Sequence, residues 1–262
     1  MSFFKIIFCV VGFILLVPDT YAQGFVFDEF NIGVKAGSSK LNMETPKDFS
    51  ESIREFENSA GLAIDLEFSR PVSRHWELGT ELSRSVLKGK NLNPDFSAQG
   101  YHQAFLEPVT DPVEYNNRLL GFDVFIRWYL MAQDNDLNVN AFLGMGVGFI
   151  DYKSVFKYID AAEDNIIFGK NTNSYYRRMS NMIYSPGAGV KFELSPKLYL
   201  VTTYNVKFVF YDFLDVVHNY DETGNRQDLL GVWSELKIGI FYHHVGTKKG
   251  FRGGKGYFPF AK

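Results

Sequence analysis

The sequence offers almost no sulfur chemistry. Its 262 residues contain one cysteine, Cys9, which excludes a disulfide framework and any cysteine-based zinc site. A strong charge of either sign is also missing. The 27 Lys and Arg face 30 Asp and Glu for a net charge of −3, so nucleic acid is not an expected partner. Beyond residue 22 no stretch reaches eighteen apolar residues, and no membrane-crossing helix is expected there. What the chain has in abundance is aromatic residues, with Phe 26 and Tyr 15, and glycine, with 23. That mixture suits strands better than helices. Hydrophobic residues at 46% against 22% charged exclude a disordered chain.

The start of the chain reads as an export signal. Met1 to Lys5 carry a positive charge, Ile6 to Val17 form an apolar run, and Pro18 breaks it. Thr20-Tyr21-Ala22 then supplies a small-x-small cleavage site before Gln23. The apolar run is too short to span a bilayer, which favours a cleaved signal over an anchor. Cys9 lies inside the run and not after it, so it does not read as a lipid-acylation site. The expected organisation is a signal at 1–22, a barrel at 23–245 and a basic, aromatic, glycine-rich tail at 246–262.

The rest of the chain alternates with a period of two, the signature of strands. Eight segments are expected, at 30–37, 60–69, 76–87, 119–130, 138–150, 182–194, 198–210 and 231–242. Most have the length that a tilted membrane strand needs. Short connectors at Arg70–Arg74, Met131–Asp136 and Ser195–Lys197 alternate with long ones near 38–59, 88–118, 151–181 and 211–230.

One face of these segments is apolar throughout, with Ile32, Val34, Leu66, Leu82, Ile126, Leu143, Leu200 and Ile238 as examples; its one charge is Arg84. The other face carries Lys35, Asp65, Glu67, Glu77, Glu81, Asp123, Arg127, Lys191, Glu193, Lys207, Glu235 and Lys237, interleaved with glycines. A soluble protein would bury the first face and expose the second. Large apolar residues on every strand, with glycine among the charges, point to the reverse arrangement: lipid outside and a narrow, mutually paired polar interior. An open sheet in lipid would leave its edge groups unsatisfied, so the expected fold is all-β, an eight-stranded antiparallel transmembrane β-barrel. Inward Phe125, Tyr129, Phe142 and Tyr199 need small neighbours across the interior. Phe68, Trp76, Trp128, Phe192 and Tyr242 form an aromatic girdle at the short-turn end, and Phe149, Tyr184, Phe208 and Phe210 form one at the other. Pro186, mid-strand and without a donor, requires a bulge or a local irregularity.

The export signal, eight alternating strands, short turns and long loops together resemble the small outer-membrane β-barrel proteins of Gram-negative bacteria. Suggested relatives are the OmpA membrane domain, OmpX and the porin-family barrels. The resemblance implies an outer-membrane location with both termini and the short turns in the periplasm. Many of those proteins end on an aromatic residue of the last strand, whereas this chain runs on past Tyr242.

At each suggestive motif chemistry competes with packing. Gly144-Met145-Gly146-Val147-Gly148 resembles part of a phosphate loop, yet its glycines share one strand face and no helix start follows, so clearance inside the barrel is expected. His243 and His244 are adjacent on a strand and point to opposite faces, which prevents simple chelation, while His75, His102 and His218 lie in or beside connectors. Some eight-stranded outer-membrane barrels modify lipids with catalytic His and Ser at the outer rim. Here His218, with Asp215, Asp221 and Glu222, and His102, with Ser97, form no compact strand-borne arrangement. No catalytic, cofactor or metal site is therefore assigned, and no enzyme is expected. Eight strands leave an interior just wide enough for side chains, so a conducting pore is not expected either.

Two readings of the long connectors stay open. Tyr101, Phe105, Tyr115, Phe156, Tyr158, Ile166-Ile167-Phe168 and Tyr175-Tyr176-Arg177-Arg178 either form a contact surface or fold onto the rim as extended strands. The tail from Gly246 carries Lys248, Lys249, Arg252, Lys255 and Lys262 with Phe251, Tyr257, Phe258 and Phe260 and no acid. It suits either docking or a solvated end. The expected function is a non-enzymatic barrel with a structural or interaction role, its partners being outer-membrane lipid and a periplasmic or outer-membrane protein. The alternative is an accessory subunit of an envelope machine, such as the PorT-like barrels of a protein secretion system.

Overall fold

Strict alternation of apolar and polar residues builds a pleated strand with two chemically distinct faces. The computed structural model describes residues 29–46, 56–94, 110–133, 138–159, 166–168, 181–210, 214 and 229–245. The export signal at 1–22, the tail at 246–262, and His102 and His218 lie outside the described residues. Ten strands form among the described residues: β1 Glu29–Pro46, β2 Glu57–Ser59, β3 Gly61–Pro71, β4 Trp76–Asn91, β5 Val113–Tyr129, β6 Val139–Tyr158, β7 Ile166–Phe168, β8 Asn181–Ser195, β9 Leu198–Val209 and β10 Leu229–Val245.

Eight of them close a ring in which every neighbour is antiparallel: β1-β3-β4-β5-β6-β8-β9-β10 and back to β1. Closure leaves the ring without an edge, the condition for a sheet in lipid. β2 pairs with β4, and β7 pairs with β6, both at the long-loop end. Glu29 lies opposite Val245, so both described ends of the chain emerge at the short-turn end.

Side chains help the backbone hold two of the short turns. Ser73 Oγ accepts the Trp76 amide at 3.2 Å in the first. In the second, Asn140 donates to the Met131 carbonyl at 2.9 Å and accepts the Met131 amide at 3.2 Å. Met131 would otherwise leave both backbone groups unsatisfied at the end of its strand.

Four strands run well past the expected ends. β1 continues to Pro46 and not 37, β4 to Asn91, β5 begins at Val113 and not 119, and β6 continues to Tyr158 and not 150. The connectors at 38–59, 88–118 and 151–181 are correspondingly shorter. At 18, 17 and 20 residues, β1, β5 and β6 far exceed the ~9–11 residues that cross a bilayer. The barrel wall therefore projects beyond the membrane at its long-loop end.

Pro186 produces an interruption without a bulge. The β8 ladder to β9 lapses over Ser185 and Pro186 and resumes in the same register at Gly187↔Asn205, while Pro186 stays paired with Met145 of β6. The missing donor costs two rungs on one side. The register shift on this ladder falls instead at Glu193/Ser195, beside the short turn.

Candidate functional site: a sealed lumen and a polar rim

Across the membrane zone the barrel carries its polarity inside out. Ile32, Val34, Leu62, Leu66, Leu143, Met145, Leu236, Ile238 and Ile240 are exposed on the outer wall, Val34 by 55% and Ile240 by 59%. Lys35, Asp65, Glu67, Glu77, Glu81, Asp123, Arg127, Lys207, Glu235 and Lys237 are buried in the interior, ten of the twelve charges assigned to that face. The other two sit near the short-turn mouth. Glu193 is exposed, and Lys191 places its ammonium 3.9 Å from the Tyr199 ring centre. Arg84 lies on the outer face as expected. The short-turn girdle is present too, with Trp76 directly opposite Trp128 and both exposed.

The buried charges form one continuous network. Lys35 Nζ lies 2.5 Å from Glu81, 2.8 Å from Glu67 and 3.4 Å from Asp65. Lys237 Nζ meets Glu235 at 2.7 Å and Glu81 at 3.3 Å, and also pairs with Asp65. Lys207 Nζ reaches Asp123 at 3.2 Å, Glu235 at 3.3 Å and Glu81 at 3.6 Å. Arg127 forks onto both oxygens of Glu67 and touches Glu77 at 3.0 Å. Glu81 is the hub, shared by three lysines. Neutral donors complete the set: Ser85 and Trp233 donate to Glu235, and Asn31 and Tyr129 to Glu77. Charges removed from water persist only when paired and hydrogen-bonded in this way.

Asp65, Glu81 and Glu235 bring carboxylate oxygens within 4.8 Å of one another, a spacing that would suit a cation. Lys35, Lys207 and Lys237 already place their ammonium groups among those oxygens. The protein supplies its own counter-ions there.

Side chains close the lumen on both sides of this charged layer. Towards the short turns, Tyr129, Phe142, Val201 and Phe241 pack together, with Tyr199 against them. Two of the expected inward rings, Phe125 and Phe142, lie on glycine, and so does Phe241. A Cβ on Gly33 would enter the Phe241 ring, one on Gly79 the Phe125 ring and one on Gly189 the Phe142 ring. Towards the long loops, Leu41, Phe56, Leu87, Tyr115, Leu119, Ile150, Phe156, Ile183 and Trp233 belong to a second apolar cluster. The cavity between Arg127, Asp123, Ser185 and Thr203 holds about 30 Å³, room for one or two waters.

This second cluster settles the connector aromatics within the described residues. Tyr115 and Phe156 are 2% and 0% exposed, packed inside the projecting wall and not displayed for contact. They lie on extended strands, the other of the two readings. The outer face of the same wall bears Lys88, Lys90, Glu114, Asn116, Arg118, Lys153 and Lys157. Above the membrane, therefore, the barrel reverts to the ordinary soluble polarity, apolar inside and charged outside. The rim also holds a groove of about 720 Å³ lined in part by Lys40, Asn42, Phe56, Asn58, Asn91 and Leu92.

The smaller motifs resolve into packing. Gly144, Gly146 and Gly148 line the interior of β6, facing Arg127, Ser185 and the Phe122–Asp123 backbone, with no loop or helix start. His243 points inward to Asn31 Oδ1 at 2.8 Å, whereas His244 stacks on Phe30 at 4.7 Å between ring centres. The two histidines use opposite faces, as expected. His75 Nδ1 lies 2.9 Å from the Tyr129 carbonyl at a short turn.

No protein-family model matches the chain, and no curated protein matches it in sequence. Solved structures of similar fold are known. Neisserial surface protein A is 11% identical, covering 81% of this chain and 96% of its own, with a TM-score of 0.41. Ail, the attachment invasion locus protein of Yersinia pestis, solved with the heparin analogue sucrose octasulfate, is 13% identical over 82% and 97%, with a TM-score of 0.40. A major outer membrane protein from Thermus thermophilus is 14% identical over 82% and 99%, with a TM-score of 0.39. At such identities the likeness is one of fold. Lipid is the solvent that matches a closed wall with an apolar exterior around an ion-paired interior, and the chain is a small eight-stranded transmembrane β-barrel.

Proposed function

We propose that this barrel works at its surfaces and not through its lumen, as a non-enzymatic protein with a structural or interaction role carried by the long-loop rim. The observation that supports this most directly is the double closure of the interior. An apolar cluster at the rim and an aromatic layer near the short turns enclose a charge network in which Lys35, Arg127, Lys207 and Lys237 bridge the surrounding carboxylates. A solute would have to displace both layers and unpair buried ions. The rim has the opposite character, with a projecting charged wall and a groove of about 720 Å³, a size in the range of ligand and partner sites.

Site-specific photocrosslinking in cells tests the proposal. A crosslinker at Lys90 or Lys157 on the projecting wall is expected to trap protein or saccharide, and one at Leu66 in the apolar belt only lipid. Equal, lipid-only products at all three positions would remove the interaction role. Repeating the experiment without residues 246–262 tests the envelope-machine alternative, in which a periplasmic partner depends on the tail.

A further inference from the structure

The sealed interior holds more acid than base. Of the ten charges buried there among the described residues, six are carboxylates and four are cations, Lys35, Arg127, Lys207 and Lys237. Lys191, half-buried at the short-turn mouth, adds a fifth cation, and His243 at the same mouth faces the neutral Asn31. One carboxylate is still in excess. A net charge enclosed between two apolar layers is unfavourable and persists only with a counter-charge.

Unpartnered oxygens mark where that counter-charge belongs. Asp123 Oδ1, Ser185 Oγ and Thr203 Oγ1 are buried without a hydrogen-bond partner, in residues 3%, 5% and 2% exposed. All three residues line the cavity of about 30 Å³, together with Glu81 and Asn205. Gly146 and Gly187 keep it open, since a Cβ on Gly146 would come within 3.3 Å of the Ser185 Cβ. The nearby cations are committed elsewhere. Arg127 is forked onto Glu67, and Lys207 meets Asp123 through Oδ2 while sharing itself with Glu81 and Glu235. Asp65, whose oxygens also lack a hydrogen bond, lies against both Lys35 and Lys237 and is not short of positive charge.

Ser185 stands on a strand that the ion network leaves out. β1, β3, β4, β5, β9 and β10 each place a charge in the buried layer. At the same level β8 offers Ser185, Gly187 and Gly189, and its ladder to β9 lapses over Ser185 and Pro186. The least supported seam of the wall therefore borders the cavity.

We propose that this cavity binds one monovalent cation of sodium's size, held by the Asp123 carboxylate and the Ser185 hydroxyl, with water carrying its contact to Thr203. Water alone would satisfy the hydroxyls and leave the excess charge in place. Every donor is an oxygen, which suits a hard cation. A divalent ion takes about six or more oxygen ligands and would overshoot a single excess charge. The bound ion links β5 to β8 where the ladder to β9 is interrupted, and closure of both ends of the lumen traps it on folding.

The test uses the full chain refolded in phosphatidylcholine bilayers at one pH and ionic strength. The salt is either sodium chloride or choline chloride, whose cation is too large for the cavity. The readouts are the temperature at which the folded gel band is lost and the sodium retained per chain after gel filtration, measured by atomic emission. Protein refolded in sodium is expected to keep its folded band to a higher temperature and to retain about one sodium per chain, as a ligand that binds only the folded state requires. D123N removes the excess charge, so it is expected to retain no sodium and to behave alike in the two salts. S185A keeps the charge and loses a ligand. Refolded across a series of sodium concentrations, it is expected to need on the order of tenfold more sodium for the same stabilisation. If D123N does not fold, S185A is read alone. Equal temperatures for the unchanged protein in the two salts, no retained sodium, sodium retained by folded D123N, or an unchanged sodium requirement in S185A would each overturn the proposal. So would a gain on acidification in choline chloride that matches the sodium gain, because the counter-charge would then be a proton.

Discussion

Arg127 holds Glu67 through both terminal nitrogens, at 2.5 and 2.7 Å, with all the groups buried in the barrel interior. The fork joins β5 to β3, two strands that are not neighbours in the wall. It is therefore a cross-lumen tie, and it orients Glu67 so that its second oxygen also serves Lys35 at 2.8 Å. The barrel's interior is not a passage lined by charge but a set of struts.

Removing one partner of such a strut strands the others. R127M is expected to leave Glu67 and Glu77 without their principal cation and to cost about 3–5 kcal/mol, because an uncompensated buried charge is worse than no pair at all. R127K keeps the charge but loses the fork, and the cost falls to about 1.5–3 kcal/mol. Urea titration of the protein in bilayers, read by the folded band on gels, gives both values. Equal stability of R127M and the unchanged protein would mean that water reaches the network.

The fold and its interior were largely legible because alternation and charge lie in the same positions. Lys35, Asp65, Glu81, Lys207 and Glu235 all fall on one face of their segments and all meet inside. The projecting wall was not legible for a definite reason. Period two continues past Phe149 and Leu120, but the polar face changes sides: Asp151, Lys153 and Lys157 point out while Ile150 and Phe156 point in. A reading that follows one apolar face stops where the solvent outside changes from lipid to water. The glycine–ring contacts were legible only in kind. Bulky inward residues demanded small neighbours, but which glycine met which ring depends on register, as with Gly33 and Phe241.

That pair yields a test of the aromatic layer. G33A is expected to push the Phe241 ring from its seat and cost about 1–3 kcal/mol, the usual penalty of overpacking. In an F241L background the same change has more room, so the two substitutions should couple by about 0.5–3 kcal/mol. A double-mutant cycle on gel-monitored unfolding checks it. Additive effects would place the ring elsewhere.

Conduction offers an independent check on closure. With Tyr129, Phe142, Val201 and Phe241 on one side and the larger apolar cluster on the other, the unchanged protein in planar bilayers is expected to show no steady single-channel steps. F142A/F241A opens one layer only, so it too should stay silent while losing stability, by about 3–5 kcal/mol for each ring removed. Steady steps from the unchanged protein would show that the apolar cluster moves aside.

The change of polarity along the wall makes the sharpest prediction, because the same substitution should have opposite consequences at two heights. Leu66 and Asn116 both point outward, Leu66 from the apolar belt and Asn116 from the projecting wall between Arg118 and Glu114. L66R places a charge in hydrocarbon and is expected to cost about 2–4 kcal/mol, as for arginine near a bilayer midplane. N116R places it in water and is expected to change stability by less than about 0.5 kcal/mol, as ordinary surface substitutions do. The inward series runs the other way. Leu119 is 3% exposed inside the wall, in the apolar cluster, so L119E buries an unpaired carboxylate and should prevent folding or cost several kcal/mol. Asp123, four residues further along the same inward face, tolerates its charge because Lys207 lies 3.2 Å away. Measuring all three variants by unfolding in bilayers tests the inversion point directly. A large penalty for N116R would put lipid against the projecting wall and extend the membrane belt past Arg118.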